Sequence, residues 1–486
     1  MALAALLAVG EGLLRPSQKQ ALVDLYESTN GANWALYTDH PLWNTTEGLV
    51  GGNLGWDVNG DLDPCSENRT HIKAYHGDAR AWYGVSCEDP CDVNLDGPDC
   101  AQGQVVALEL GWNGLSGMLL DTVVDRLTKL SILDLSHNSV SGTIPTEVGK
   151  LRLLNYLQLG DNRLSGTIPS EVRSIGSHVK RDSVAYAMED LDCGDSEPEA
   201  NPSNTRSTVQ APCKYVGARL IGPTVFDVGH NQLNGTVPTT MGELVNLKAL
   251  DISHNSELGG KCCTEESSFF DRLFYDYPTA IPTEIGSLKK LQALRMHNSN
   301  FLRYLPTELG SLRSLVWLEA SGNGSIPNSN QISGTIPKQL GRLTNILRIV
   351  AQDNQLSGTI PPQIRDMSAL VHVELQDNKL SGSIPDAYGG MTRLSYWDTF
   401  ANKLTGDLPP SVFELKELTA LYIQNEHSDA IRNYYCRERI EQSVNGRKHN
   451  YAELGSVHSY YANPHHSICV NPFDVAGAFD RLSGDV

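Results

Sequence analysis

The chain has 486 residues, 40% of them hydrophobic, and its 38 Lys and Arg against 57 Asp and Glu give a formal net charge of −19. Such an acidic chain, with no visible basic patch, is a poor partner for phosphate backbones, so nucleic acid is excluded as the expected partner. The sequence holds no apolar stretch of about 18 residues, and no transmembrane segment is therefore predicted.

The first segment, residues 1–12, reads MALAALLAVGEG and is a short apolar run that ends in small residues. This composition favours a secretory signal peptide, cleaved near Gly10 or Gly12, over an N-terminal helix that packs on the following domain. The basic residues that usually open a signal peptide are missing.

Residues 13–104 are predicted to form an N-terminal cap, and within them the run CDVNLDGPDC (91–100) is the strongest hint of a metal site, ahead of a second run, DVNGDLD (57–63). Asp92, Asn94 and Asp96 place oxygen ligands on alternate residues around a Gly turn, as in the opening of a calcium loop. Gly103 stands where such a loop carries its bidentate carboxylate. An Asx-rich turn without metal is the favoured alternative, so no cofactor is predicted and calcium stays a secondary hypothesis.

Residues 105–426 are repetitive, because SGTIP recurs at 141–145, 165–169, 333–337 and 357–361. Alignment of these segments gives a unit of about 24 residues reading L-x-x-L-x-L-x-x-N-x-L-x-G-x-I-P, which is the pattern of a leucine-rich repeat. About eleven repeats are predicted. The Asn of the pattern is expected to form a column, which would comprise Asn113, Asn138, Asn162, Asn231, Asn255, Asn323, Asn330, Asn354, Asn378 and Asn402.

The fold class predicted from this unit is an α/β repeat solenoid, a right-handed superhelix with a concave parallel β-sheet and disulfide-bonded caps. The L-x-L period of two turns alternate side chains into the core and leaves those between them on the solvent face. An inward Asn satisfies backbone groups that would otherwise be buried without partners. Stacked coils bury their Leu faces on each other, and both ends need caps.

Three irregularities interrupt the register of the repeats and are predicted to be loops, near residues 173–219, 261–280 and 324–330. The first contains the acidic run MEDLDCGDSEPEANPSN. Residues 427–486 follow the last partial repeat and are predicted to be a C-terminal cap in preference to a separate docking module.

The residues between the two core Leu positions are expected to line the concave face, the predicted ligand-binding surface. In successive repeats this central column comprises Glu109, Asp134, Gln158, Asp227, Asp251, Arg295, Glu319, Val350, Glu374, Asp398 and Tyr422. Its carboxylates, about 4.8 Å apart, would repel one another and favour a cationic partner. The alternative is that Asp in LDLS is simply the default residue of this repeat.

Two strand positions earlier lie further side chains of the concave face, which we call the first column. With Phe400 they suggest an aromatic patch around Trp317, Tyr396, Phe400 and Tyr422, suited to anchoring a peptide or stacking a sugar. Shielding of the sheet is an equally good interpretation. Before the Asn column, His137, His230 and His254 raise the hypothesis of pH-dependent binding, although most exposed histidines have no such role.

The ten cysteines lie in the caps and inserts, none in the regular repeats, as expected of disulfides in a secreted protein. Pairing cannot be read from sequence, but proximity favours Cys65–Cys87, Cys91–Cys100, Cys193–Cys213 and Cys436–Cys469. The pairing of Cys262 and Cys263 stays open. The four N-x-S/T glycosylation sequons are at Asn44, Asn68, Asn234 and Asn323.

A family resemblance supports secretion. The segments QALVDLYESTNGANW (20–34), DPC (63–65) and AWYGVSC (81–87), followed by the LSGTIP repeats, resemble plant-type extracellular leucine-rich-repeat proteins. That family includes receptor-like proteins, receptor-kinase ectodomains and polygalacturonase inhibitors. The resemblance implies a secreted or cell-surface binder of a protein, peptide or glycan, with a membrane coreceptor as a further candidate partner. The loop at 91–100 and the acidic insert depart from the family pattern.

No nucleophile elbow, phosphate loop, dinucleotide fingerprint or zinc helix is present in the sequence, so catalysis is not predicted. Three hypotheses remain: a recognition protein, an inhibitor of a secreted hydrolase, and a structural surface. The last rests on a row of hydroxyl residues expected on the convex side, which would suit ice or mineral binding: Thr143, Thr167, Thr236, Thr335, Thr359 and Ser383.

Overall fold

The computed structural model describes six stretches of the chain and one short strand pair. The stretches are 14–34, 84–88, 104–177, 223–259, 281–324 and 329–423, the last with residues 387, 407–408, 410 and 413–414 left out, and the strand pair is Gln442–Val444 with Arg447–His449. The predicted segment 1–12, the calcium candidates Asp92, Asn94 and Asp96, and most of the predicted tail lie outside these residues.

The N-terminal end of the solenoid is closed by a helix and an antiparallel strand. The helix Pro16–Ser28 and the following 3₁₀ turn Gly31–Asn33 bury Leu22, Leu25 and Trp34 against the first coil. The Trp34 indole donates to the Thr29 carbonyl at 2.9 Å. The strand Val85–Glu88 pairs antiparallel with Gln104–Glu109, and Cys87 within it is disulfide-bonded. This strand extends the sheet by one antiparallel member and is its terminal strand at this end.

Eleven parallel strands, one from each repeat, continue the sheet and form the concave face. They are Gln104–Glu109, Ile132–Asp134, Tyr156–Gln158, Val225–Asp227, Ala249–Asp251, Ala293–Arg295, Trp317–Glu319, Arg348–Val350, His372–Glu374, Tyr396–Asp398 and Ala420–Tyr422. In most of them the middle residue is buried and its neighbours are half-buried, the alternation expected of L-x-L. The predicted repeat solenoid with a concave parallel sheet is confirmed.

The convex side is built from short strands, 3₁₀ helices and one short α-helix, Asp121–Arg126. One sheet comprises Ser116–Met118, Ser139–Thr143, Arg163–Gly166 and Gln232–Leu233, and another comprises Ser333–Thr335, Gln355–Gly358, Lys379–Gly382 and Lys403–Leu404. The 3₁₀ helices are Thr146–Lys150, Ser170–Ser174, Thr239–Glu243, Thr283–Ser287, Thr307–Ser311, Lys338–Arg342, Pro362–Asp366 and Tyr388–Gly390. The Pro of I-P precedes all but the last of these helices directly, for example Pro145 at φ −63°, because its ring fixes that dihedral.

The asparagine column ties neighbouring coils together. Asn162 accepts from the Val140 N–H at 2.9 Å and donates to the carbonyls of Leu135, Leu159 and Gly160. Every group that this side chain bonds lies in its own coil or the preceding one, so one buried side chain satisfies backbone groups in two repeats.

Two members of this column differ from the prediction. Asn330, not Asn323, accepts from the Ser299 and Phe301 amides, since the extra residues after Asn323 move the column forward. In the repeat that begins near Leu291 the position is held by Ser299, whose hydroxyl donates to the Ile252 carbonyl at 2.9 Å. The sequence pattern placed both Asn323 and Asn330 in the column, and the bonds to these two amides of the preceding coil are made by Asn330.

The repeats that flank the longest insert stack directly on each other. Tyr156 pairs with Val225 and Gln158 with Asp227, and the Leu159 N–H donates to the Asp227 carbonyl at 2.8 Å. Ile175 is buried in the core, and the described part of this coil continues to Ser177. The added residues therefore leave the solenoid continuous, as expected for loops in repeat proteins.

Candidate functional site

The concave face presents two columns of side chains in strict register. The central column runs in adjacent strands from Glu109 to Tyr422 and contains every residue predicted for it. The first column comprises Ala107, Ile132, Tyr156, Val225, Ala249, Ala293, Trp317, Arg348, His372, Tyr396 and Ala420. Neighbouring members are one strand spacing apart, about 4.8 Å.

The aspartates of the central column are partly engaged with their own backbone. Asp134 accepts the Ser136 N–H and Asp227 the Gly229 N–H, both at 2.9 Å, while Asp251 accepts the Ser253 N–H at 3.0 Å. In Asp398 the same contact is made with the Phe400 N–H, and this side chain is almost fully buried. The bond fixes the turn after each strand, which is a structural role for these aspartates, and a cationic partner for the column stays a prediction.

Two arginines compensate the carboxylates in the C-terminal half. Arg295 lies between Asp251 and Glu319, with Nε 3.3 Å from the Glu319 carboxylate, and its guanidinium stands 5.7 Å from the Trp317 ring centroid. Arg348 bonds Glu374 at 2.9 Å, and His372 contacts the same oxygen. These contacts outweigh the desolvation of Glu374, so its pKa is lowered.

The predicted aromatic patch is only partly assembled. Tyr396 and Tyr422 lie 5.8 Å apart, but Arg348 and His372 separate them from Trp317. The His372 and Tyr396 rings are parallel within 4° at 4.3 Å, so each covers a face of the other. Because these covered faces are unavailable for stacking on a sugar, the two rings present their edges and polar atoms to a ligand.

Burial of the carboxyl group next to this stack alters its protonation. Desolvation, opposed by the Phe400 amide and reinforced by the Glu374 charge, raises the pKa of Asp398 to about 6. The Tyr396 hydroxyl lies 3.4 Å from the Asp398 carboxylate. The charge of this part of the face therefore changes within the mildly acidic range.

A ribbon of rings lines the turn that follows the strands in the N-terminal half. Trp112 stacks on His137 at 4.0 Å and His230 stacks on His254 at 3.8 Å, while His297 meets His254 edge-on at 4.7 Å. The His137, His230 and His254 backbones have φ between 50° and 54°, a left-handed conformation in which His is enriched. Sequence reasoning missed His297 because it lies one position before the column of His137, His230 and His254, and Asn298 holds the column position in this repeat.

The ribbon is neutral at its centre. Burial, and then the charges of His230 and His297, lowers the pKa of His254 to about 3. Burial also lowers the pKa of His297. His254 thus stays uncharged at physiological pH, which gives no support to its proposed role in pH-dependent binding.

The low pKa of His254 predicts acid sensitivity of the fold. The neutral His254 ring contributes to the stability of the fold above the ordinary histidine pKa of about 6.5, and this contribution is lost as the pH falls towards about 3. We expect His254→Gln to reduce the loss of stability between pH 6.5 and pH 4 by about 1–2 kcal/mol, allowing for solvent screening of a partly exposed ring. Thermal melting across that pH range measures it, and parallel melting profiles for the two proteins would contradict the prediction.

Other predicted sites are placed as follows. Asn234 and Asn323 are half-buried within the described chain, whereas Asn44 and Asn68 lie outside it. Among the described residues no group of three or more His, Cys, Asp or Glu side chains is arranged to hold a metal ion. Apart from Cys87, all the cysteines lie outside the described residues, so the predicted pairings stay predictions.

Of the hydroxyl residues predicted on the convex side, Thr143 and Thr335 lie in its strands, and Thr167, Thr359 and Ser383 directly follow strands. Thr143 packs its methyl group over Gly166, and Thr335 and Thr359 do the same over Gly358 and Gly382, which lack a Cβ. Two repeats without an equivalent Thr separate Thr236 from Thr335. The row is therefore divided into two runs of three.

Comparison with known proteins agrees with this architecture. A family model described as Leucine Rich Repeat matches residues 129–151. The chain carries leucine-rich repeats. None of the described helices has the length and apolar character that crossing a bilayer requires.

Solved structures share the fold. The LRR ectodomain of the plant membrane receptor kinase GASSHO1/SCHENGEN3 from Arabidopsis thaliana, in complex with CASPARIAN STRIP INTEGRITY FACTOR 2, is 25% identical with a TM-score of 0.55, covering 86% of this chain and 37% of that one. The Arabidopsis HAESA ectodomain with its IDA peptide hormone is 24% identical, with a TM-score of 0.48 and coverages of 71% and 44%. A plant ice-binding protein is 17% identical, with a TM-score of 0.45 and coverages of 85% and 86%. The chain thus spans less than half the length of the two receptor ectodomains.

Proposed function

We propose that this protein is an extracellular or cell-surface recognition protein that binds a protein, peptide or glycan ligand on its concave face and has no catalytic role. The observation that carries the proposal is the register of the two columns. Eleven adjacent strands hold the side chains of the two columns at fixed spacing on the concave face. The residue of each strand that lies between the two columns packs the core, and in all but the last strand it is buried. A rigid surface of this kind lowers the entropy cost of binding.

The similarity to a plant receptor-kinase ectodomain solved in complex with a factor supports a binding role for this chain. We extend the proposal to secretion on the sequence grounds of the N-terminal apolar run, the cysteines and the sequons. Inhibition of a secreted hydrolase is a special case of the same function, in which the ligand is a basic enzyme.

A binding screen with matched variants tests the proposal. The purified full chain is presented, with and without calcium, to extracellular peptides, cell-wall glycans and secreted hydrolases, and hydrolase activity is read in parallel. Each ligand found is then measured against Glu319→Gln, Glu374→Gln and Asp398→Asn, which remove charge but keep shape. We expect a loss of about tenfold in affinity, equal to about 1.4 kcal/mol, for the concave variants.

The control is a pair of substitutions on the opposite face. Glu171→Gln and Glu284→Gln change exposed carboxylates of the convex 3₁₀ helices and alter net charge to a similar extent. Ligands that respond to the convex pair but not to the concave variants, or the absence of any ligand, would refute recognition on the concave face.

A further inference from the structure

A basic strip lies on one flank of the solenoid, where the chain passes from the convex 3₁₀ helices to the concave strands. It comprises four exposed side chains, those of Lys289, Lys290, Arg313 and Arg342. They belong to three successive repeats, so no basic run marks them in the sequence, and only the stacking of the coils brings them together. The strip is a local exception on a chain whose formal net charge is −19.

The strand register places these cations in neighbouring coils. The strands that begin at Ala293 and Trp317 pair in register. Lys289 and Arg313 both stand four residues before the start of their own strand, so they occupy equivalent positions in adjacent coils. Such coils stack about 4.8 Å apart at the sheet. Arg342 ends the 3₁₀ helix of the next coil and continues the strip.

Bonds between the coils fix the backbone of the strip. The Lys289 carbonyl accepts the Ser314 hydroxyl at 2.8 Å, and the Arg313 carbonyl accepts the side-chain amide of Asn345 at 2.9 Å. Both cations are thus held at their backbone by a side chain of the following repeat. A surface that is fixed before binding loses less conformational entropy when a ligand arrives.

The charges of the strip are not paired with carboxylates. Lys289 donates to the Gly286 and Ser311 carbonyls, and Lys290 donates to the side-chain oxygen of Asn246 at 2.7 Å, so both ammonium groups have neutral acceptors. Among the residues that the structure describes, no side chain of the strip forms an ion pair. The strip therefore keeps four positive charges available to an anion.

The acids of the same repeats lie to the side of the strip. Glu284 and Glu308 stand near the start of the 3₁₀ helices that precede it, and the equivalent residue of the third repeat is the neutral Gln339. Glu243 and Asp366 belong to the two flanking repeats. At physiological ionic strength, exposed charges more than about 8 Å apart are largely screened from one another. The acidic character of the whole chain is thus compatible with a local cationic surface.

The surroundings of the strip favour a sugar chain over a lipid surface or a folded protein. The uncharged neighbours in the same three repeats carry hydroxyl or amide groups, which bond sugar hydroxyls as donors and acceptors: Ser287, Ser311, Thr344 and Asn345. Val245, in the preceding repeat, is a single exposed apolar side chain at one end. Membrane surfaces and protein interfaces use several apolar or aromatic side chains together.

We propose that the basic strip is a second binding surface, separate from the concave face, that takes an anionic polysaccharide through its carboxylate or sulfate groups. The guanidinium forks of Arg313 and Arg342 each hold one anionic group, because their planar donors match an oxyanion with two oxygens, and the lysines add point charges. The inference goes beyond the proposed function, since it adds a second ligand and leaves the concave face free for the first.

Defined polymers test the surface. The probes are alginate, which is carboxylated, and dextran sulfate, with neutral dextran as the control, all without calcium. We expect the purified full chain to bind at least one acidic polymer at about 0.15 M salt and to bind it more weakly at about 0.5 M, because salt screens exposed charges. Neutral dextran is expected not to bind. Binding of alginate alone identifies carboxylate as the anion, and binding of dextran sulfate alone identifies sulfate.

The matched protein variant is Arg313→Gln combined with Arg342→Gln. It removes two charges, while the backbone carbonyl of residue 313 still accepts the Asn345 amide. We expect this variant to lose at least about tenfold in affinity for the acidic polymer. The control is Arg163→Gln combined with Lys379→Gln, which changes two exposed cations in strands of the two convex sheets. It is expected to bind like the unmodified protein.

The remaining outcomes overturn the inference. They are failure of both acidic polymers to bind, equal binding of neutral dextran, and equal losses in the strip and control variants. Tighter binding of polyglutamate, or of vesicles that contain anionic lipid, would assign the strip to an acidic protein or a membrane instead. If Glu319→Gln alters the affinity for the polysaccharide and the strip variant does not, the polysaccharide is a ligand of the concave face, and the proposed function stands without the second surface.

Discussion

Asn378→Ala is expected to lower the free energy of unfolding by about 3 kcal/mol. The Asn378 side chain accepts the Leu356 N–H at 2.9 Å and donates to the carbonyls of Ala351, Leu375 and Gln376. It is buried, so alanine would leave an amide and several carbonyls in two coils without these partners and without water. Urea unfolding measures the effect, provided that the slope of the transition stays the same.

Two further variants make this prediction specific. Asn378→Ser is expected to cost less than alanine, because Ser299 already holds the equivalent position in another coil and bonds the preceding repeat. Asn345→Ala removes an exposed Asn that donates to one carbonyl, that of Arg313, and is expected to change stability by less than about 0.5 kcal/mol. Equal losses for Asn378→Ala and Asn345→Ala would show that the column does not hold the coils together.

The regular part of the fold follows from the sequence because each repeat carries the same short-range sequence pattern. Alternation in L-x-L, an inward Asn and a Pro before the 3₁₀ turn all appear as short-range patterns. The exceptions depend on neighbours in space. Ser299 takes the column position in its coil and bonds the preceding repeat, and this contact depends on an adjacent coil that the sequence pattern alone does not identify.

The candidate site was predictable in position but not in chemistry. Alternation places Asp134 and Asp251 on the concave face, yet their bonds to the Ser136 and Ser253 amides depend on side-chain rotamers. The arrangement of Arg295 between two acids requires the register of three strands, the first two of which are separated in sequence by the insert near 261–280. The stacking of His372 on Tyr396, which covers the ring faces, also became evident only from the ring planes.

Gly310→Ala is expected to destabilise the protein by about 3 kcal/mol, through contact between coils and not through backbone strain. A Cβ at Gly310 would stand 2.2 Å from the Gln339 carbonyl oxygen in the next 3₁₀ helix. Gly242 and Gly341 hold the equivalent position in other coils, with distances of 2.4 and 2.3 Å to the next carbonyl oxygen. A backbone oxygen does not move aside as a side-chain tip does, so the two coils must separate and expose part of their Leu core.

Arg365 supplies the matched control for this substitution. It is the fourth residue of the 3₁₀ helix Pro362–Asp366 when counted from Pro362, and Gly310 is the fourth residue of Thr307–Ser311. Because an exposed side chain is already accommodated there, Arg365→Ala is expected to change stability by less than about 0.5 kcal/mol. The difference between the two alanine variants, measured by urea unfolding, isolates the close approach of one coil to the next. A Gly310→Ala protein as stable as the Arg365→Ala protein would mean that the convex coils can spread without cost, and the glycine of this repeat would then have no packing role.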